Sequence, residues 1–344
     1  MTRDEFRQGV FARDGGRCVI CGSSMNPDAH HVVERRLWDD EGYHLDNGAT
    51  LCGIHHVQAE QTTLSCEEIR QSAGITKVVL PNTFDRDETY DKWGNVILPD
   101  GRRVKGELFW DDSVQKILAG VMLLFSDLVK YPKIYHLPWS ESVDEKTDRL
   151  LTDAQVAAFA GKRVIVSEKL DGENTSCYRN YIHARSLDGR SHPSRGWVKA
   201  DHAKWGYEIP EHWRVCGENL TAEHSIRYER LPTYFLLFGI YNERNECLSW
   251  DDTVVYSYLL GLTMVPVRYD GIFDEREVRA CYTGKSVYGP TQEGYVIRIA
   301  DKIPWADHRT SFGKFVRKNH VQTAQNWMNR PMKMNGRAVN PVGC

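Results

Sequence analysis

The chain has 344 residues, of which 41% are hydrophobic and 26% charged, with a formal net charge of −3. That composition is ordinary for a folded protein with room for more than one core, and it excludes collagen-like and disordered chains. The longest apolar run, Val121 to Phe125, is far too short to cross a bilayer, and Met1-Thr2-Arg3-Asp4-Glu5-Phe6 holds no apolar signal core; a cytoplasmic protein without a membrane partner is expected.

Residues 1–66 form a small unit rich in Cys and His. Three of the nine cysteines, Cys18, Cys21 and Cys52, sit among histidines in the first 60 residues, and the other six are scattered, which suits one metal site plus ordinary thiols in a reducing compartment. Cys18-x-x-Cys21 and Cys52-x-x-His55 have the spacing of two zinc knuckles, and thiolate and imidazole ligands in that arrangement suit tetrahedral Zn2+. A unit this small has little core, so such a site would supply much of its folding energy.

Residues 67–130 read as linker, hairpin and packing helix. Residues 76–110 look irregular, with one hairpin signal in which Val96-Ile97-Leu98 and Arg102-Arg103-Val104 flank Pro99-Asp100-Gly101. Ser113 can cap a helix whose apolar positions Ile117, Leu118, Val121, Phe125 and Leu128 recur at helical spacing, ending near Lys130. Helices are expected at 152–160, 252–260 and 275–281. Strands are expected at 164–166, 234–241, 264–267 and 295–299. Strands with interspersed helices argue α+β architecture with antiparallel sheets. From His308 to the end the chain has no Asp or Glu but carries seven Lys and Arg residues, among them Lys314, Lys318, Lys333 and Arg337. A basic end of one sign suits a polyanion, and residues 326–344 read as a basic tail.

Glu168-Lys169-Leu170-Asp171-Gly172-Glu173-Asn174 follows the apolar run Arg163-Val164-Ile165-Val166. A lysine at a strand end, followed by an acid and a glycine, can be a nucleophile toward a nucleotide phosphate. Further groups follow in order: Arg185-Ser186, Gly217-Glu218-Asn219-Leu220, Tyr234 to Phe238, Glu293 to Arg298, and Gly313-Lys314-Phe315-Val316-Arg317-Lys318. This series over residues 131–325 resembles the RNA ligase family of covalent nucleotidyltransferases, and it looks most like the branch of phage and editing-type RNA ligases.

The resemblance implies a nucleotidyltransferase fold, ATP and Mg2+ or Mn2+ as cofactors, and three steps. Lys169 takes AMP from ATP, AMP moves to a 5′-phosphate end, and a 3′-hydroxyl then displaces it. It also implies that Glu168, Asp171, Gly172 and Asn174 line the nucleotide site beside Lys169. Glu218 would take the ribose hydroxyls, and Phe235 or Phe238 would stack on adenine. Alternation along a strand lets at most one of the two face the nucleotide. Glu293 would hold the metal or the attacking amine, and Arg185 and Asn174 would engage the phosphates. A free lysine, with a pKa of about 10.4, is a poor nucleophile at neutral pH. Burial and the cations Lys314 and Lys318 are expected to lower the pKa of Lys169. The family often spaces the lysines of its last motif by two, which here falls on Val316, so Arg317 and Lys318 both stand as the second basic group. DNA ligases and capping enzymes of this type usually carry a further OB-fold, for which the 30 residues after Lys314 leave no room. RNA is therefore expected over DNA as the nucleic-acid partner.

Within the Cys/His unit, Ala29-His30-His31-Val32-Val33, Leu45-Asp46-Asn47 and Leu51-Cys52-Gly53-Ile54-His55-His56 resemble the HNH endonuclease family with its ββα-metal fold. By that resemblance His31 is the general base, Asn47 holds it, and His30 and His56 bind a divalent metal. Two readings of the unit stand, a nuclease and a zinc-stapled grip on nucleic acid. For the whole chain, the alternative to a ligase is an HNH nuclease with a non-catalytic nucleotide-binding C-terminal half.

Overall fold

The computed structural model describes residues 1–144, 148–185, 187, 192–318 and 332–338. Ser186 and most of the basic tail, namely 326–331 and 339–344, lie outside the described residues. The chain divides into two compact units, Met1–Lys130 and Tyr131–Cys344. The segment 67–130 thus falls in the same unit as the Cys/His residues.

The first unit contains α1 (Arg3–Asp14), β1 (Asp28–His31), β2 (Gly48–Leu51), α2 (Gly53–Glu60), α3 (Cys66–Ser72), β3 (Thr89–Tyr90), β4 (Val96–Ile97), β5 (Arg103–Val104), α4 (Asp112–Leu118) and β6 (Phe125–Ser126). Thr2 and Glu5 form a reciprocal capping box that starts α1. Strands β1 and β2 pair antiparallel, and α2 follows directly, which makes a ββα arrangement. A Cβ on Gly48 would lie 2.5 Å from Val10 and 2.6 Å from Phe6, so glycine lets α1 seat on β2.

The expected hairpin forms from β4 and β5, with the Leu98 amide donating to Arg102 O. The expected helix to Lys130 does not. Helix α4 ends at Leu118, a 3-10 turn covers Ala119–Leu124, and β6 pairs parallel with β5. Gly120 weakens the helix there, and Phe125 is drawn into a ladder where it packs on Phe109. The cap is Asp111 rather than Ser113, because its carboxylate accepts from the amides of Ser113 and Val114.

The second unit contains α5 (Asp153–Ala157), β7 (Arg163–Lys169), β8 (Glu173–Cys177), β9 (Ile182–Ala184), α6 (Gly196–Trp205), β10 (Arg214–Asn219), β11 (Phe235–Tyr241), α7 (Trp250–Leu259), β12 (Val267–Ile272), α8 (Glu275–Ala280), β13 (Gly294–Ile299), α9 (His308–Ser311) and β14 (Phe312–Val316). Two four-stranded antiparallel sheets result, ordered β12-β7-β13-β14 and β11-β10-β8-β9. This is the expected α+β class with antiparallel sheets. The strand expected at 264–267 instead begins its ladder at Val267, because Pro266 has no amide to donate; its carbonyl accepts from Glu168 N.

Both faces of β7 are covered. Val164 and Val166 pack with Leu137, Leu151, Phe159 and Tyr295 on one side, and Ile165 joins Leu236, Trp250 and Val265 on the other. Burial on both faces explains why the run reads as continuously apolar. No helix among the described residues is long and apolar enough to cross a membrane.

Candidate functional site

Lys169 ends β7 opposite Gly294, while Ser167 stands opposite Val296, which also pairs with Lys314 of β14. Alternation along each strand puts Ser167, Lys169, Val296 and Lys314 on one face. They line a cavity of about 530 Å³, to which the second sheet contributes Asn174, Glu218 and Phe238. Apolar Pro132, Ile134, Leu170 and Val265 complete a wall able to take a flat ring, beside the cationic Arg185 and Lys314. A Cβ on Gly294 would lie 1.9 Å from Phe315 O, so glycine lets β13 and β14 close up beside the lysine. A Cβ on Gly172 would meet Asn219 O at 2.6 Å and Glu218 Cγ at 3.0 Å. The glycine is therefore a steric need of the turn after Lys169.

Lys169 Nζ lies 2.7 Å from Glu293 Oε1, and the lysine side chain keeps 27% of its surface exposed. Burial works against its charge, yet Glu293, Glu218 and Asp171 together outweigh burial and raise its pKa. The expected depression is thus reversed, because the acids near Lys169, Glu293 first among them, favour the ammonium more than burial disfavours it. The depression falls on Lys314 instead, which burial and then Lys169 bring down to about 8. Burial pushes the Glu218 carboxyl up to about 8 against the pull of Lys169, with Glu293 and Asp171 adding to the rise. Glu218 Oε1 accepts from the Gly172 amide at 3.0 Å. The second oxygen of Glu293 is buried without a hydrogen bond.

Of the residues singled out in the sequence, Glu168, Lys169, Gly172, Asn174, Arg185, Glu218, Phe238 and Lys314 line the cavity. Glu168 does so with a committed carboxylate, tied to Arg268 at 2.5 Å and to the Val287 amide at 3.1 Å. Three residues are placed elsewhere. Phe235 points to the opposite face of β11 and is buried with Leu237 and Val198, its ring 5.9 Å from that of Trp205. Asp171 turns away to accept from the amides of Ser225 and Ile226 at 2.7 and 2.8 Å, so it anchors a loop rather than a ligand. Lys318 is exposed past the end of β14, its amide bonded to Glu141. Sequence reasoning missed His224, Trp250 and the Arg195–Glu173 pair at 2.6 Å, which also line the cavity. None carried a spacing that could have flagged it.

In the first unit, Cys18, Cys21, Cys52 and His55 each offer an atom within 4.8 Å of the others. The Cys21–Cys52 sulfurs are 3.8 Å apart, and His55 Nδ1 is 3.2 Å from Cys52 Sγ and 3.5 Å from Cys18 Sγ. Two sulfurs on a tetrahedral zinc, each at about 2.3 Å, stand about 3.8 Å apart, so the donor set and its spacing fit Zn2+.

His30, His56 and Glu60 make a second such group. Glu60 Oε1 lies 3.2 Å from His56 Nε2 and 3.7 Å from His30 Nδ1, and Asp28 Oδ2 lies 3.3 Å from His56 Nδ1. His30 is buried with neither ring nitrogen hydrogen-bonded. Lys92 Nζ completes the group at 3.2 Å from Glu60 Oε1. These residues border a cavity of about 320 Å³ that also holds Arg3, Arg7 and Arg35. The i, i+4 spacing of His56 and Glu60 on one helix was a legible signal for Glu60; nothing in the sequence placed Lys92 there. His31 stacks on Phe6 with ring centroids 4.4 Å apart. The hydrogen bonds of Asn47 go elsewhere than to that ring. Its side chain bonds the Val33 amide and carbonyl and Gly42 O, and so fixes the loop after β1.

A family model described as RNA ligase matches residues 162–318, which run from β7 through β14. No curated protein sequence matches the chain at a significant level. Among solved structures the chain is similar to a Naegleria gruberi RNA ligase mutant with ATP and Mn, at 17% identity and TM-score 0.41, covering 56% of this chain and 59% of that one. A second mutant of that ligase, with AMP and Mn, gives 16% identity and TM-score 0.38 over 56% of this chain and 59% of that one. An archaeal ATP-dependent RNA ligase gives 17% identity and TM-score 0.38 over 55% of this chain and 48% of that one. The chain thus spans less than two thirds of each of these proteins.

Proposed function

We propose that the second unit is an ATP-dependent RNA ligase module that joins 5′-phosphate and 3′-hydroxyl ends through a lysyl-AMP intermediate. The observation that carries this reading is Lys169 held 2.7 Å from Glu293 at the mouth of a cavity that also contains Glu218, Phe238 and Lys314. The match of residues 162–318 to RNA ligases supports it.

Lys169 rests as an ammonium and must lose a proton before it can attack. Glu293 is placed to take that proton and to hold the amine. Nζ then forms a bond to the α-phosphorus of ATP, and the bond from phosphorus to the pyrophosphate oxygen breaks. Phe238 stacks on adenine, Glu218 accepts from the ribose hydroxyls, Lys314 takes the α-phosphate, and Arg185 and Asn174 engage the phosphates beyond it. Positioning and charge placed in advance are the main source of rate in phosphoryl transfer. The unbonded, buried oxygen of Glu293 fits a divalent cation, Mg2+ or Mn2+, which when bound supplies neutralisation of phosphate charge. AMP then passes to the 5′-phosphate of an RNA end, and a 3′-hydroxyl displaces it.

Incubation with α-labelled ATP and a divalent metal, followed by a denaturing gel, tests the reading. Wild type is expected to carry label and Lys169→Ala none. An unlabelled wild type, or label retained by the variant, overturns it. Sealing of nicked RNA against nicked DNA then tests the choice of strand.

For the first unit, the proposed reading is a zinc site at Cys18, Cys21, Cys52 and His55 beside an HNH-type metal site. His30, His56 and Glu60 would hold the second ion, which would stabilise a leaving oxygen, and His31 would activate water. The buried, unbonded nitrogens of His30 favour this reading over a purely structural one. Metal-dependent cutting of DNA or RNA should vanish in His31→Ala and persist in Lys169→Ala. Cutting without any adenylylation would instead support a nuclease with a nucleotide-binding C-terminal half.

A further inference from the structure

Lys314 is held in a way that Lys169 is not. The segment just before the stretch matched to RNA ligases runs along β14, with the Lys314 amide donating to Tyr135 O at 2.9 Å and the Leu137 amide donating to Lys314 O at 2.8 Å. His136 sits between these two bonds and is only 2% exposed. Its Nδ1 is 2.8 Å from Ser140 Oγ, which in turn accepts from the Val316 amide at 3.0 Å. Its Nε2 is 3.3 Å from Asp148 Oδ2, off the line of a hydrogen bond, and burial holds the imidazole below its ordinary pKa, so it meets Asp148 as a neutral ring. The same Oδ2 accepts from the Asp144 amide at 3.1 Å. Asp148 turns its other oxygen, Oδ1, to Lys314 Nζ at 3.8 Å.

We propose that His136 and Asp148 are positioning residues for Lys314: they hold one carboxylate oxygen beside its ammonium, keeping it charged and aimed into the cavity until a nucleotide phosphate takes it over. The proposal rests on the ATP-site reading above. Two features separate this arrangement from a simple staple. First, the contact is loose. Glu293 grips Lys169 at 2.7 Å, whereas 3.8 Å leaves the Lys314 ammonium free to move to a phosphate without breaking a short hydrogen bond. Second, the surroundings work against the charge of Lys314. Burial, Lys169 and Arg185 disfavour it, and Asp148 and Glu293 support it. Asp148 is itself kept ionised, with its pKa held low chiefly by His136. A carboxylate at this position therefore supports the charge of Lys314 against burial and Lys169.

The test uses the full chain. Lysine-selective NMR follows the Nζ titration of Lys314, and the rate of lysyl-AMP formation is measured against ATP concentration. In Asp148→Asn the titration midpoint is expected to fall below its wild-type position near 8. KM for ATP should rise roughly fivefold at mildly alkaline pH, with little change in maximal rate. Asp148→Glu should recover most of both effects, and His136→Gln should shift the midpoint the same way by less. A merely structural role would lower the melting temperature and leave the midpoint in place. An unchanged midpoint and KM in Asp148→Asn overturn the proposal. Asp148 is partly exposed, so this variant decides the matter even where His136→Gln fails to fold. A wild type that forms no lysyl-AMP removes the ATP-site reading, and the midpoint in Asp148→Asn still decides whether Asp148 holds the charge of Lys314.

Discussion

Each unit buries a lysine beside a glutamate, and the two pairs differ in what surrounds them. Lys169 lies 2.7 Å from Glu293 and keeps 27% of its side chain exposed toward a cavity with an apolar wall. Lys92 lies 3.2 Å from Glu60, is 4% exposed, donates to His31 O at 3.0 Å and has Glu34 at 3.6 Å. A lysine with an open side and room for a flat ring can meet a substrate. A lysine closed in by two carboxylates and a carbonyl serves as a counter-charge for the histidines and acids around it. Burial beside an acid and a place on a cavity wall are common to both, so neither distinguishes a nucleophile from a structural cation; the number of groups that hold the amine and the apolar wall near it do.

The largest effect expected from this contrast is on adenylylation. Lys169→Met should reduce labelling by α-labelled ATP to background, and Lys92→Met should leave it close to wild type. Equal loss in both would break the comparison. Next comes the metal. Cys52→Ser, which removes a proposed zinc ligand, should unfold much of the first unit, because structural zinc contributes about 10 kcal/mol or more to such a fold. Circular dichroism should lose a melting transition while lysyl-AMP formation persists.

Phe235 and Phe238 sharpen the contrast within one strand. Phe235→Ala should cost about 3–5 kcal/mol of stability by leaving a core cavity, read as a lower melting temperature with little change in KM for ATP. Phe238→Ala should weaken ATP binding by about 1–3 kcal/mol, the worth of a base-stacking ring, read as a raised KM. The smallest effect is the pH dependence. Burial and Lys169 together bring Lys314 down to about 8, so the wild-type KM for ATP should rise as pH rises through that value, and in Lys169→Met, which removes one of those causes, the loss of ATP affinity should come at higher pH. A flat affinity profile would mean that another group holds the phosphate.

Much of the fold was legible because it rests on local patterns. The alternating and apolar runs that became β7, β11 and β13 are strands whichever partners they find, and the hairpin around Pro99-Asp100-Gly101 carries its own turn chemistry. The helix read through to Lys130 failed where local pattern met a competing ladder, since Phe125 has both a helical spacing and a strand partner in Arg103. Alternation along β11 limited Phe235 and Phe238 to one cavity-facing ring, yet it could not choose between them; the packing of Trp205 against Phe235 leaves Phe238 on the cavity. Asp171 sits in the motif beside Lys169, and a nucleotide role seemed natural for it. Its carboxylate instead accepts from the amides of Ser225 and Ile226, which are 54 and 55 residues away.

By itself the sequence determined the strand carrying Lys169, the order of acids, rings and lysines that follow it, and the knuckle spacing of Cys18, Cys21, Cys52 and His55. These depend on neighbours within a few residues, where propensity and spacing act directly. Only the tertiary structure decided that Lys169 meets Glu293, that the lowered pKa belongs to Lys314, and that Lys92 and Glu60 join His30 and His56. Charge interactions depend on distance in space and on the loss of water, and both are set when segments far apart in sequence pack together.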